Sequence, residues 1–221
     1  MNALEFRFCG ETLAALSSGA LWWPAQATLV VSDLHLGQAK HMAQRGGPIL
    51  PPYEIRETLD RLIADCDTTH AARVICLGDS FDDLAAARAT AQAVTDRLAP
   101  VMAGRKWIWI EGNHDPGPVD IGGDHLSQIN IAPLTFRHIA GDTDASGEVS
   151  GHYHPKARVK ARGRTITRPC FLLDAARLIL PAYGTYTGGL HCDHPDLSGL
   201  MGDGATAILL ARPPIRIPMP R

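Results

Sequence analysis

Ala27-Thr28-Leu29-Val30-Val31 runs directly into Ser32-Asp33-Leu34-His35-Leu36-Gly37. An apolar run without alternation is the pattern of a strand buried on both faces. The polar segment after it ends in glycine, which lets the backbone turn tightly. The arrangement recurs twice. Residues 74–77 lead into Gly78-Asp79-Ser80-Phe81-Asp82-Asp83, and residues 107–110 lead into Glu111-Gly112-Asn113-His114-Asp115. Helical periodicity fills the gaps between the runs. Ile55, Leu59, Leu62, Ile63 and Cys66 share one face of a helix predicted over 51–66, opened by Pro51 and Pro52. Leu84, Ala87, Ala91, Val94 and Leu98 do the same over 83–99, with Asp82 or Asp83 as the N-cap. Strand alternating with helix predicts an α/β fold with a parallel sheet and right-handed crossovers. Ligands bind such sheets at the carboxyl ends of the strands, so the three polar segments should converge in one crevice.

After Asn113 the pattern changes. Residues 134–139 and 158–162 alternate, and 171–173, 178–180 and 205–210 are further strand candidates separated by Gly and Pro. This half should form a second, mixed or antiparallel sheet. No linker separates the halves, so one domain over 1–221 is expected. The tail 212–221 carries Pro213, Pro214, Pro218 and Pro220 and should run extended along the surface.

The chain has 221 residues, ten of them His. No apolar run approaches the roughly 18 residues of a membrane span, and 1–8 lack a signal-peptide pattern. The five cysteines are scattered without a CxxC, which argues against a disulfide framework or a thiolate zinc site. A cytoplasmic setting is expected. The net charge of −2 gives no global attraction to nucleic acid.

Two further segments carry metal-ligand chemistry: His138, and Gly151-His152-Tyr153-His154-Pro155. Each has an ordinary explanation when taken alone. DxH pairs are common, Gly-Asp and Gly-Asn mark turns, and a lone His in a strand is usually a satisfied core residue. Taken together, five such segments occur in order, each at a strand or just past one. Five coincidences are a poor account of that.

The series DLHLG, GDSFDD, GNHD, a lone His and GHYH resembles the calcineurin-type metallophosphoesterases over about residues 28–155. The flanks Leu21-Trp22-Trp23-Pro24, Gly47-Pro48-Ile49-Leu50-Pro51-Pro52, Arg168-Pro169-Cys170-Phe171 and Leu180-Pro181-Ala182-Tyr183-Gly184 narrow this to a resemblance to the ligase-associated DNA damage response endonucleases, or PdeM-type phosphoesterases. In that subgroup the second motif often reads GDSFHD, where this chain has Asp82; the change puts specificity in question more than activity. The resemblance implies the family sandwich of two mixed β-sheets flanked by helices. It also implies two divalent metals, one on Asp33, His35, Asp79 and His154, the other on Asp79, Asn113, His138 and His152. Asp79 would bridge them in a two-metal hydrolysis of phosphoesters. Oxygen and nitrogen donors without thiolate suit Mn²⁺, Fe or Zn²⁺, and Mn²⁺ is the ion expected. His114 is then the general acid or transition-state stabiliser, and Asp115 is expected to hydrogen-bond its ring. The resemblance further implies functional association with an ATP-dependent DNA ligase, a helicase and an exonuclease.

Lys156, Arg158, Lys160 and Arg162 alternate with small apolar residues, so on a strand they share one face. Residues 156–168 carry +6 and no acid, leaving −8 on the rest of the chain. The bland reading is an edge strand blunted by charge. The functional reading is a phosphate track for DNA or RNA bound without sequence specificity. His191-Cys192-Asp193-His194 is a weaker metal candidate in an irregular loop, and His41 falls on a short helix expected over 38–45. Three functions compete: a phosphodiesterase, in particular a DNA-repair nuclease; a small-molecule nucleotide or nucleotide-sugar phosphohydrolase; and a non-catalytic scaffold. The filled set of ligand positions favours an enzyme.

Overall fold

The computed structural model describes residues 2–39, 42, 46, 50–51, 53–82, 84–117, 121–141, 146–161 and 163–221. His41, most of the helix expected over 38–45, Pro52, Asp83 and Arg162 lie outside the described residues. So does much of the segment 47–52.

Two sheets make up the described fold. The first runs in the order β1 (Ala3–Phe8), β2 (Glu11–Leu16), β3 (Leu21–Trp23), β4 (Thr28–Val31), β5 (Arg73–Leu77), β6 (Lys106–Ile110) and β7 (Asp124–Leu126). Pairing is parallel from β4 to β7, and antiparallel from β1 to β4. Helix α1 (Glu54–Thr69) connects β4 to β5, and helix α2 (Leu84–Met102) connects β5 to β6. Both end three residues later than the periodicity places them, and they begin three residues and one residue later, respectively.

The second sheet contains β8 (Gln128–Ile131), β9 (Leu134–Arg137), β10 (Glu148–Ser150), β11 (Lys156–Ala161), β12 (Arg164–Leu173), β13 (Arg177–Ile179), β14 (Thr206–Leu209) and β15 (Ile215–Pro218). Their spatial order is β15-β14-β12-β13-β10-β9-β8, with β11 paired to β12. Strands β9, β10 and β13 are mutually parallel within an otherwise antiparallel sheet. The Pro-rich tail contributes β15 as an edge strand on β14, a position where proline costs no central ladder bond.

Burial explains the unbroken apolar runs. Val30, Ile75 and Ile108 face the second sheet and pack with Phe136, Val149, Phe171 and Ile208. Their neighbours Leu29, Val31, Val74, Cys76, Trp107 and Trp109 face the helices and meet Leu59, Leu62, Val94 and Leu98. A third cluster sits under helix α3 (Pro195–Leu200), where Leu197 and Met201 cover Ala157, Cys170 and Leu172. The layers are therefore helix, sheet, sheet, helix. No described helix is long and apolar enough to cross a membrane.

The sequence predicts no strand before residue 27, yet β1 to β3 are there. Ala14 and Ala15 carry no strand signal, and the last four residues of β2 are all buried, so no alternation marks it. The hairpin is instead set by its turn. Cys9 (φ 47°) and Gly10 (φ 86°) both adopt left-handed backbone, as a two-residue hairpin turn requires, and Phe8 pairs with Glu11.

Candidate metal centre

The polar segments leave their strands through left-handed backbone. Asp33 (φ 54°), His35 (φ 44°), Asp79 (φ 44°), His152 (φ 71°) and His154 (φ 46°) all lie there. Each such residue costs about 1–3 kcal/mol and persists only where its surroundings hold it. Here the strands hold one another. His35 N–H donates to the Asp79 carbonyl at 3.0 Å, Leu36 N–H to the Ser80 carbonyl at 3.0 Å, and Gly184 N–H to the Asp33 carbonyl at 3.0 Å. His152 N–H donates to the Asp33 carboxylate at 3.0 Å. Two glycines are required by close approach. A Cβ on Gly112 would lie 2.1 Å from Asp79 N, and one on Gly151 would lie 1.7 Å from Ser32 Oγ.

Two groups of metal-type donors result. One donor atom each from Asp33, His35 and His154 lies within 4.8 Å of the others, and the same holds for Asp79, His138 and His152. Among the described residues these are the two such groups. They adjoin each other. Asp79 Oδ2 lies 3.3 Å from His138 Nε2 and 4.0 Å from His35 Nε2, between the two sets. Asp33 Oδ1 lies 3.3 Å from His154 Nε2 and 3.8 Å from His138 Nδ1. Asn113 turns Oδ1 to within 2.9 Å of His138 Nε2. His138 sits one residue past the end of β9.

The contacts inside the cluster test whether cations fit. His138 Nδ1–H donates to the Leu77 carbonyl at 2.8 Å, so in the neutral ring Nε2 carries a lone pair. That Nε2 faces Asn113 Oδ1 at 2.9 Å, Asp79 Oδ2 at 3.3 Å and His152 Nδ1 at 3.3 Å. His35 Nε2 faces His154 Nε2 at 3.4 Å. With Nδ1 of His138 carrying the proton, its Nε2 and the facing Asp79 and Asn113 oxygens are all acceptors, a convergence that a second proton or a metal ion resolves. Imidazole, carboxylate and amide oxygen without thiolate form a donor set for hard and borderline divalent ions. The residues fit two cations.

The electrostatics carry the same mark. Burial would raise the Asp33 carboxyl, but the rings of His154 and His138 and the Ser32 hydroxyl outweigh it and hold it below the ordinary range. Burial likewise opposes Asp79, yet His138, the His114 N–H and His35 hold it down to about 2. His35 and His138 are buried, which lowers an imidazole, but the surrounding carboxylates push both up. Burial and the neighbouring His138 push His152 down.

The flanking residues fall as follows. His114 is exposed; its N–H donates to Asp79 Oδ1 at 2.9 Å, and its ring Nδ1 lies 2.9 Å from the Asp82 carbonyl. The expectation that Asp115 holds this ring is therefore corrected. Asp115 Oδ2 accepts from Ser80 N–H at 2.8 Å and Phe81 N–H at 3.1 Å, and Oδ1 accepts from Gly112 N–H at 3.1 Å. It staples the second motif to the third, and burial raises its carboxyl to about 6 against those hydrogen bonds. Asp82, the departure from GDSFHD, turns its carboxylate to His35 Nδ1 at 3.5 Å. That orients Nε2 toward the cluster. Ser32 carries no motif signal, yet its buried hydroxyl donates to Asp33 Oδ2 at 2.5 Å.

Strand β11 turns Lys156, Arg158 and Lys160 to one face, and buries Ala157 on the other. Arg164 and Arg168 pair opposite Ala161 and Ala157, so they share the opposite face, and the +6 segment divides between two sides. His191 Nε2 lies 3.2 Å from an Arg158 guanidinium nitrogen, and His194 Nδ1 caps α3 by accepting from Asp196 N–H. These two histidines serve the local structure and do not form a described metal group.

Comparison with known proteins agrees with the fold. The family model for calcineurin-like phosphoesterases matches residues 27–198. The crystal structure of Pseudomonas putida nuclease MPE superimposes with a TM-score of 0.77 at 27% identity, covering 97% of this chain and 100% of that one. No curated protein matches the sequence.

Proposed function

The chain belongs to the calcineurin-like phosphoesterase family, and on that premise we propose that it is a metal-dependent phosphodiesterase acting on nucleic acid. One observation carries the reading. Two donor groups adjoin at Asp79, and a histidine belonging to neither, His114, is held beside them by that same carboxylate.

Asp33, His35 and His154 with Asp79 would hold one ion, and Asp79, His138 and His152 with Asn113 the other. Mn²⁺ suits this set, with Fe or Zn²⁺ as alternatives. Divalent ions at such a site supply Lewis acidity to phosphoryl oxygens and make water more acidic. The remaining work falls to the chain. The Leu77 carbonyl fixes the His138 tautomer, and the Asp82 carboxylate lies 3.5 Å from His35 Nδ1, where it favours a proton on that nitrogen. With Nδ1–H donated to the Asp82 carbonyl, His114 presents Nε2 outward to hold or deliver a proton at the leaving oxygen. Asp115 acts at one remove by stapling the Gly112-Asn113-His114 turn to the second motif.

The choice of diester over monoester is supported by the nuclease character of the similar solved structure and by the cationic face of β11. The motif and flank resemblance extends the proposal to a cytoplasmic role in DNA repair, alongside an ATP-dependent ligase, a helicase and an exonuclease. The test is Mn²⁺-dependent turnover on bis-p-nitrophenyl phosphate, p-nitrophenyl phosphate, single-stranded DNA, duplex DNA and RNA. Diester and polynucleotide cleavage are expected; cleavage of the monoester alone would overturn the proposal.

A further inference from the structure

A cleft of about 260 Å³ opens against His154, lined also by Lys156, Arg61, Tyr183 and Tyr186. Ser18, Arg61 and Leu210 also line a wider depression of about 490 Å³ that continues to Arg212. The two form one groove, which starts at a candidate metal ligand and runs to Arg212.

Its chemistry is that of a track for anions. Lys156, Arg61 and Arg212 line it; its one acid, Asp65, accepts a hydrogen bond from the Tyr183 hydroxyl at 2.9 Å. The Arg61 guanidinium is set in place, 4.6 Å over the Tyr183 ring and donating to the Tyr183 carbonyl. Its Nε is buried and has no partner. Tyr186 adds an aromatic face, 38% exposed, on left-handed backbone with φ 69°. Its position is tied to the metal motifs. A Cβ on Gly184 would lie 2.2 Å from the Leu34 carbonyl oxygen, and one on Gly189 would lie 2.1 Å from that of His154. The Tyr186 segment is thus pressed onto the first motif at one end and the last at the other.

We propose that this groove binds single-stranded nucleic acid on one side of the scissile phosphate, with a base stacked on Tyr186 and successive phosphates on Lys156, Arg61 and Arg212. The proposal rests on the phosphodiesterase reading and names its substrate class. An exposed aromatic face beside a line of cations is how single strands are held. A duplex keeps its bases stacked on each other and could offer the groove only its outer phosphates. Lys156 also begins the cationic face of β11, so the strand beyond the scissile bond has a second cationic surface to follow.

The test is fluorescence anisotropy with a labelled oligothymidylate on the full-length, metal-free protein, which needs no turnover. Tyr186→Ala should weaken binding roughly 10-fold or more. Tyr186→Phe, which keeps the ring, should bind like the parent. Arg212→Ala, at the exposed far end, should weaken binding and lower the slope of log affinity against log salt by about 0.7. A labelled blunt duplex should bind more weakly than the single strand and be insensitive to Tyr186→Ala. Unchanged single-strand affinity in both alanine variants, or an equal loss on duplex, would overturn the groove. Mn²⁺-dependent hydrolysis of bis-p-nitrophenyl phosphate by the unmodified protein reads the underlying function separately. Its absence sinks the phosphodiesterase reading; its presence alongside Tyr186-independent strand binding sinks the groove alone.

Discussion

The backbone N–H of His114 donates to Oδ1 of Asp79 at 2.9 Å, while Oδ2 of the same carboxylate faces His138 Nε2 at 3.3 Å. One carboxylate therefore positions the outward-facing histidine with one oxygen and faces the metal-type donors with the other. The His114 side chain adds nothing to either donor group. His114→Ala should lower kcat on a diester by about 10²–10⁴-fold, the range for a lost acid–base group. Metal content by plasma emission spectroscopy should equal that of the parent protein. Metal lost in parallel with activity would remove His114 from the proposed role.

Gly112 has no room for a methyl group. A Cβ there would lie 2.1 Å from Asp79 N and 2.2 Å from Asp79 Oδ1. Gly112→Ala should displace the Asp79 carboxylate and lower Mn²⁺ affinity at least tenfold while the protein stays folded. Isothermal titration measures this; parent-like affinity would show that the turn relaxes without moving Asp79.

Glu148 is 1% exposed on β10, next to the motif that carries His152 and His154. Its carboxylate lies 3.3 Å from Arg177 Nε and 3.6 Å from Arg137 Nη1, and it accepts from Gly141 N–H at 2.9 Å. Truncation leaves two guanidinium groups without their shared anion. Glu148→Ala should cost about 3 kcal/mol, the lower end for a broken buried pair because Arg137 is partly exposed. Denaturant unfolding gives the value, and a loss under about 0.5 kcal/mol would show that solvent already carries those charges.

Protons and metals should compete. The carboxylates around His35 and His138 push both rings above the ordinary imidazole value of 6.5, against the effect of burial. Raised folded values mean that their protonation contributes stability fully below 6.5, and that this contribution is lost as pH rises through the folded values. Metal needs the same nitrogens unprotonated. Mn²⁺ affinity should therefore rise with pH through the neutral range, with proton release on binding. Titration calorimetry in two buffers of different ionisation heat counts those protons; identical heats in both would contradict the competition.

If the exposed face of β11 carries phosphates, it should do so electrostatically. Arg158→Ala with Lys160→Ala should reduce the salt slope of single-strand binding by about 1.4, near 0.7 per lost contact. An unchanged slope would leave β11 as an edge strand protected by charge.

Residues with local causes were legible in the sequence. Runs 27–31, 74–77 and 107–110 read as buried strands because both their faces meet apolar layers, and Asp33, Asp79 and Asn113 followed from their places at the strand ends. Strand β2 was not legible, because Ala14 and Ala15 carry no strand preference and only the Cys9-Gly10 turn sets the pairing. Nor was the job of Asp115. Its partners are backbone N–H groups of Ser80, Phe81 and Gly112, which side-chain identity does not encode. The nearness of Tyr186 to His154 was hidden for a similar reason, since it depends on Gly184 and Gly189 packing onto loops distant in sequence.

On the proposed reading, two metals sharing Asp79 make this chain a phosphodiesterase. The most direct measurement follows bis-p-nitrophenyl phosphate hydrolysis and bound Mn²⁺ on the same sample, titrating metal back into chelator-treated protein. Turnover should appear only as the second ion per chain binds, and should be absent in Asp79→Asn. Full turnover in chelator, or two bound Mn²⁺ per chain with no diester hydrolysis, would contradict it.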